Sequence, residues 1–213
     1  MKFFRFLAVL AFFASATAGA ASPEELIRPL QDRWAEIKYK TPEKQQEEAY
    51  QSLVQQARKL AEAHPGTAEI LIWEGIALSS QAGAKGGLGA LGLAKEARAR
   101  FEDALKLDEK ALAGSAYTSL ATLYAKVPGW PIGFGDKARA EELFRKSLAI
   151  NPSGIDPNYF YGEYLLDRSR PGEARPYLEA ALKAPPRPGR ELADSGRRSE
   201  VEALLAKLAK EGK

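Results

Sequence analysis

Few side chains in this sequence are suited to covalent or metal chemistry. His64 is the only histidine and cysteine is absent, which excludes disulfides, thiolate metal sites, a cysteine nucleophile and a lipid-carrying cysteine. A Ser–His–Asp arrangement would have to use His64. That residue stands before Pro65-Gly66 at a helix end, where compensation of the helix dipole explains it better than catalysis, and nothing near it resembles a nucleophile elbow. The carboxylates are scattered without metal-ligand spacing. Paired carboxylates can hydrolyse glycosides without histidine, and Glu74 and Glu163, beside small residues of two helices, are the pair to consider. The glycine-rich run 82–93 lacks the G-K-[ST] ending of a phosphate loop, and no strand precedes it. A non-enzymatic chain with no metal and no cofactor is the expectation, with a hydrolase on a helical scaffold as the alternative.

Binding chemistry has better candidates. Trp130 and Phe134 lie in a loop of prolines and glycines, Val127 to Asp136. Large rings there either fold back against the core or form part of a ligand or partner surface. Arg187 and Arg190, with Arg197 and Arg198, are the densest basic feature and suit a carboxylate or phosphate. Their alternative is pairing with Glu191, Asp194 and Glu200. Elsewhere Lys and Arg interleave with Glu and Asp as solvated helix faces. The formal charge of +3 includes Lys2 and Arg5, so the chain beyond them is nearly neutral and no nucleic-acid partner is expected.

The elements that must position these residues are helices. From Asn158 to Pro186, Gly162 and Leu165 share one face. Arg170-Pro171-Gly172 then breaks the first helix, and Ala174, Leu178 and Ala181 form the apolar stripe of a second. Sliding the chain over itself by 34 positions places Ala140, Phe144, Ser147, Leu148 and Pro152 on Ala174, Leu178, Ala181, Leu182 and Pro186. A shift of 43 places Ala97, Phe101, Ala104 and Leu105 on Ala140, Phe144, Ser147 and Leu148, with the Trp130 loop as the insertion.

This pattern resembles the tetratricopeptide repeat (TPR). The resemblance implies an all-α fold, a right-handed superhelical stack of TPR-like helix-turn-helix repeats with a C-terminal capping helix. Helix pairs are expected at about 23–65, 67–109, 112–152 and 155–186. The run Val201, Leu204, Leu205, Leu208 gives the cap at about 199–210, since an open stack exposes an apolar end. The resemblance also places Asp156, Tyr159, Glu163 and Leu166, and in the preceding unit Ser115, Thr118, Thr122 and Ala125, on the concave face. With Trp130, Phe134, Arg187 and Arg190, the first three of these form the expected binding set.

Lys2 and Arg5, the apolar run Phe6–Phe13 and the small residues that follow read as a signal peptide over 1–20, with export to the periplasm or medium and no membrane span. The stretch Leu123–Lys137, followed by Ala140-x3-Phe144 and Asn151-Pro152, resembles the periplasmic T-component family of TRAP-type tripartite transporters. Members are commonly lipid-anchored through a cysteine, which this chain lacks. The resemblance implies a scaffold beside a solute-binding protein. A protein partner or small solute bound at the concave face is expected, and a homo-oligomer is compatible with the sequence.

Overall fold

The computed structural model describes residues 21–211, so the expected signal peptide at 1–20 lies outside the described residues. The helices are α1 (Pro23–Lys40), α2 (Glu43–Ala63), α3 (Ala68–Lys85), α4 (Ala90–Leu107), α5 (Ala111–Lys126), α6 (Lys137–Ile150), α7 (Ile155–Asp167), α8 (Pro171–Leu182) and α9 (Glu191–Glu211). No strand forms among the described residues, and Gly129 and Gly135 make an isolated bridge. No described helix is long and apolar enough to cross a membrane.

Local chemistry sets the boundaries. At the start of α1 the Ser22 hydroxyl accepts from the Glu25 amide while the Glu25 carboxylate accepts from the Ser22 amide, satisfying two orphan donors. Asp136 caps α6 by accepting from the Arg139 amide at 3.0 Å. The glycine-rich stretch is more helical than its composition suggests: α3 runs to Lys85 and α4 begins at Ala90. The turn between them uses Gly86 and Gly87 at positive φ, which costs glycine little.

Each helix packs on the next, and the odd-numbered helices also pack on one another, α1 on α3, α3 on α5, α5 on α7 and α7 on α9. This gives a repeat-like stack with an inner layer of odd helices and an outer layer of even ones. A small residue on the inner helix admits a large one from the outer helix. A Cβ on Gly75 would lie 2.5 Å from the Phe101 ring, and one on Gly162 would lie 2.8 Å from Leu178. Phe101 and Leu178 are fully buried as a result. Ala121 and Phe144, both buried, hold the same register in the middle pair.

The last helix both covers the end of the stack and extends it. Val201 and Leu208 join Ile155, Tyr159, Leu178 and Ala181 in a buried cluster, as the apolar run implies. The helix begins at Glu191, however, ahead of the expected start near Ser199. The Asp194 carboxylate accepts from the Arg187 amide and pairs with the Arg187 guanidinium, so the polar turn before Ser199 is ordered by its own charges. The added length lets α9 reach α1. Two glycines permit the approach: a Cβ on Gly196 would lie 2.4 Å from the Tyr39 ring, and one on Gly189 would overlap the Arg28 guanidinium. The inner layer thus closes into a ring of five helices.

At Gly162 a leucine would meet Leu178 with no space to move into. Gly162→Leu is expected to lower stability by about 1–3 kcal/mol, the usual cost of overpacking. A thermal melt of the purified variant checks this, and an unchanged Tm would show that the glycine does not serve the α7–α8 contact.

Candidate functional site

The ring of α1, α3, α5, α7 and α9 surrounds a groove of about 870 Å³, within the roughly 300–1,000 Å³ typical of small-molecule sites. A second hollow of about 620 Å³ takes its walls from residues 186–202 alone. The groove is the better candidate because the five inner helices converge on it, joined by residues of α2 and α4, and its walls combine rings with charged side chains.

One wall is aromatic. Trp34 of α1 and Trp73 of α3 meet edge to face with centroids 6.2 Å apart, and the Trp34 indole N–H donates to Ser80 Oγ at 2.9 Å. Ser80 in turn donates to the Ile76 carbonyl, so the Trp34 ring is anchored to α3. On the other side Tyr159 and Phe160 of α7 meet at 5.0 Å. The Arg197 guanidinium of α9 lies 4.3 Å from the Tyr159 centroid and 4.5 Å from that of Phe160, a stacked cation largely removed from water. The middle of the α5 side is made of small side chains, Ser115, Thr118, Ser119 and Thr122, with Leu123 and Lys126 beyond them. At its edge Leu112, Ala113 and Gly114 hold left-handed backbone, a conformation that non-glycine residues adopt at a cost.

Asp156 organises the charges. Its carboxylate accepts from Arg187 at 2.7 Å and from Arg197 at 3.0 Å, joining α7 to the segment that carries α9. Burial acts to raise its pKa, but Arg197 and Arg187 outweigh that and hold it at about 2. Burial likewise opposes the Arg197 cation, and Asp156, Tyr39 and Glu200 reverse the balance and raise its pKa. Arg197 also pairs with Glu200 at 2.6 Å, and Glu200 reaches Lys38 of α1 at 3.4 Å. The chain of charges therefore crosses from α7 through α9 to α1. Lys126 pairs with Glu163 at 3.3 Å and with Asp167 at 2.7 Å.

Of the residues singled out by sequence, Asp156, Tyr159, Glu163, Arg187 and Arg190 come together in this groove, as do Ser115, Thr118 and Thr122. Leu166 and Ala125 do not line it. Trp130 and Phe134 lie outside it and part company with each other. Phe134 folds back, 5.6 Å from Tyr124 and beneath Arg98 at 4.6 Å, while Trp130 is 90 % exposed. Among the arginines, Arg187 pairs with Asp194 as considered but also with Asp156 across the chain. Arg198 donates to the carbonyls of Leu182 and Ala184. Arg190 makes no ion pair among the described residues and lies over the Trp73 ring at 5.1 Å. Glu74 does not join Glu163. It is buried toward α2, 3.7 Å from Arg58; burial raises its pKa, opposed by Arg100 and Arg58. No group of three or more metal-ligating side chains gathers among the described residues.

Sequence reasoning passed over Trp34, Trp73 and Phe160, because aromatics on helix faces read first as core. One signal was available. The repeat register used for α5 and α7, carried to α3 from Gly75, selects Glu69, Ile72, Ile76 and Ser79, and the last two line the groove. No protein-family model matches this chain, and no curated protein matches it.

Trp130→Ala should leave stability within about 0.5 kcal/mol, as for exposed positions, while Phe134→Ala should cost about 2 kcal/mol, less than a fully buried ring; urea melts of the two variants distinguish them. Asp156→Asn should cost about 2 kcal/mol, less than for a fully buried ion pair because about a third of the carboxylate stays in water. The folded-state pKa of Asp156 lies below the roughly 3.9 of an unfolded chain. Its contribution is thus complete above about pH 4 and is lost as pH falls through about 2. Melts from pH 5 to pH 2 should therefore converge for wild type and variant at the acid end, and a constant difference would contradict the assignment.

Proposed function

We propose that this chain is an exported, TPR-like binding protein that holds a small solute in the groove ringed by its inner helices and carries out no reaction on it. The observation that carries the reading is the closure of that ring by α9 against α1. An open TPR stack presents a long concave surface to a partner's helix or tail. With α9 across it, the inner face becomes a bounded groove of about 870 Å³ with aromatic walls, a size and lining suited to a small molecule. Asp156, Glu163 and Glu200 are each held by a lysine or arginine, which favours fixed architecture over proton transfer.

A protein partner has a separate place in this reading. Trp130 and Ile132 project from the rigid loop between α5 and α6, and an exposed tryptophan held by prolines loses little freedom when covered. The resemblance of this loop and of α6 to the T-component family supports an accessory role beside a solute-binding protein, with the present chain acting free in the periplasm or medium. The proposed division is solute inside the ring and partner at the loop.

The neutral fluorophore N-phenyl-1-naphthylamine tests the groove. One molecule per chain should bind with a rise in emission. Thr122→Trp, which fills the groove from its α5 side, should weaken binding at least tenfold while far-ultraviolet circular dichroism keeps its helical form. Thr122→Leu should give a smaller loss. Undiminished binding by the tryptophan variant would place the dye elsewhere and remove the support for this reading.

A further inference from the structure

Five cations line the groove, Lys38, Lys126, Arg187, Arg190 and Arg197. Four of them contact carboxylates: Lys38 with Glu200, Lys126 with Glu163 and Asp167, Arg187 with Asp156 and Asp194, Arg197 with Asp156 and Glu200. Arg190 is different. Its Nε is buried and reaches no acceptor among the described residues. The ring beneath it belongs to Trp73, which is 4 % exposed and whose Nε1 is likewise buried without an acceptor.

Two buried donors on stacked side chains, one of them cationic, are costly to leave unpaired. Burial and the neighbouring Arg187 push the Arg190 pKa down, whereas Asp156, Asp194 and Asp32 favour its charge without bonding to it. Two neighbouring polar groups on this wall are already engaged, since Trp34 donates to Ser80 and Ser80 to Ile76. The guanidinium edge and the indole N–H both call for an acceptor that the chain does not supply.

We infer that the groove selects a small monoanion, a carboxylate on an apolar body, with the carboxylate at Arg190 and Trp73 Nε1 and the body against Trp34, Ile76, Tyr159 and Phe160. This rests on the reading of the groove as a binding site and adds the class of its occupant. Arginine presents a planar fork that matches a carboxylate. A phosphate monoester would bring a second negative charge and call for a second cation, and the other four cations are already paired. The rings supply the apolar contact that small-molecule sites use alongside one or two oriented polar groups.

Calorimetric titration of the full-length protein with 3-phenylpropionate and hexanoate, and with the two corresponding primary amides, tests the inference. Both acids should bind at least tenfold more tightly than their amides. Arg190→Gln should bring the acids down to the level of the amides and leave the amides unchanged, with Tm within a few degrees of wild type. Trp73→Phe keeps the ring and removes the donor. It should weaken the acids severalfold and spare the amides, which keeps the test decisive if Arg190→Gln does not fold. Equal binding of acids and amides, or indifference of the acids to both substitutions, would overturn the anion assignment while leaving the groove as a site. Failure of all four compounds alongside retained dye binding would also overturn it. Failure of the dye as well would reach back to the groove reading itself.

Discussion

The Asp156 carboxylate, shared between Arg187 and Arg197, is the contact on which the rest of the structure depends. It ties the start of α7 to both ends of the segment that becomes the first half of α9. Burying Arg197 and withdrawing most of Asp156 and Arg187 from water is unfavourable, and mutual pairing at hydrogen-bonding distance offsets that cost only while all three stay together. The arrangement therefore behaves as a clasp with a definite geometry. Arg197 gains further support from the adjoining Tyr159 and Phe160 rings, so the clasp is also packed.

What the clasp secures is the return of the chain to its beginning. In a repeat stack each unit touches only its neighbours, and the two ends stay apart. Here Glu200 carries the charge network on to Lys38, the Tyr39 hydroxyl donates to Glu200, and Gly196 and Gly189 bring the α9 backbone against α1. A surface that would be concave and open becomes a bounded groove. The same closure brings Arg190 over Trp73 in the groove wall, with two donors buried there.

Local physics explains how much of this could be read from sequence. The helices and their pairing follow from caps, breaks and a 3.6-residue period within single segments, as at Ser22, Asp136 and the Gly162–Leu178 contact. The inner-face register of α7 places Asp156, Tyr159 and Glu163 in the groove because one small residue orients the whole helix. The start of α9 was hidden, since Arg187, Asp194 and Gly196 look like loop composition until their partners on α7 and α1 are known. Trp73 and Trp34 were hidden for the same reason: a ring on a helix face packs inward in most folds, and only closure by α9 makes that interior a groove. In the 127–136 loop, burial divided two rings that composition treats alike. Phe134 found Tyr124 and Arg98, whereas Trp130 found no cover.

The closure of the ring is open to direct measurement because the chain contains no cysteine, so two introduced thiols can be labelled cleanly. Spin labels at Asp32→Cys on α1 and Ser195→Cys on α9 stand at exposed positions and report the separation of the first and last helices by pulsed electron paramagnetic resonance. A closed ring gives a single narrow distribution at the short distances of labels on adjacent helices, whose axes pack about 8–10 Å apart. A broad distribution extending to long distances, as for a stack whose last helix swings free, would contradict it.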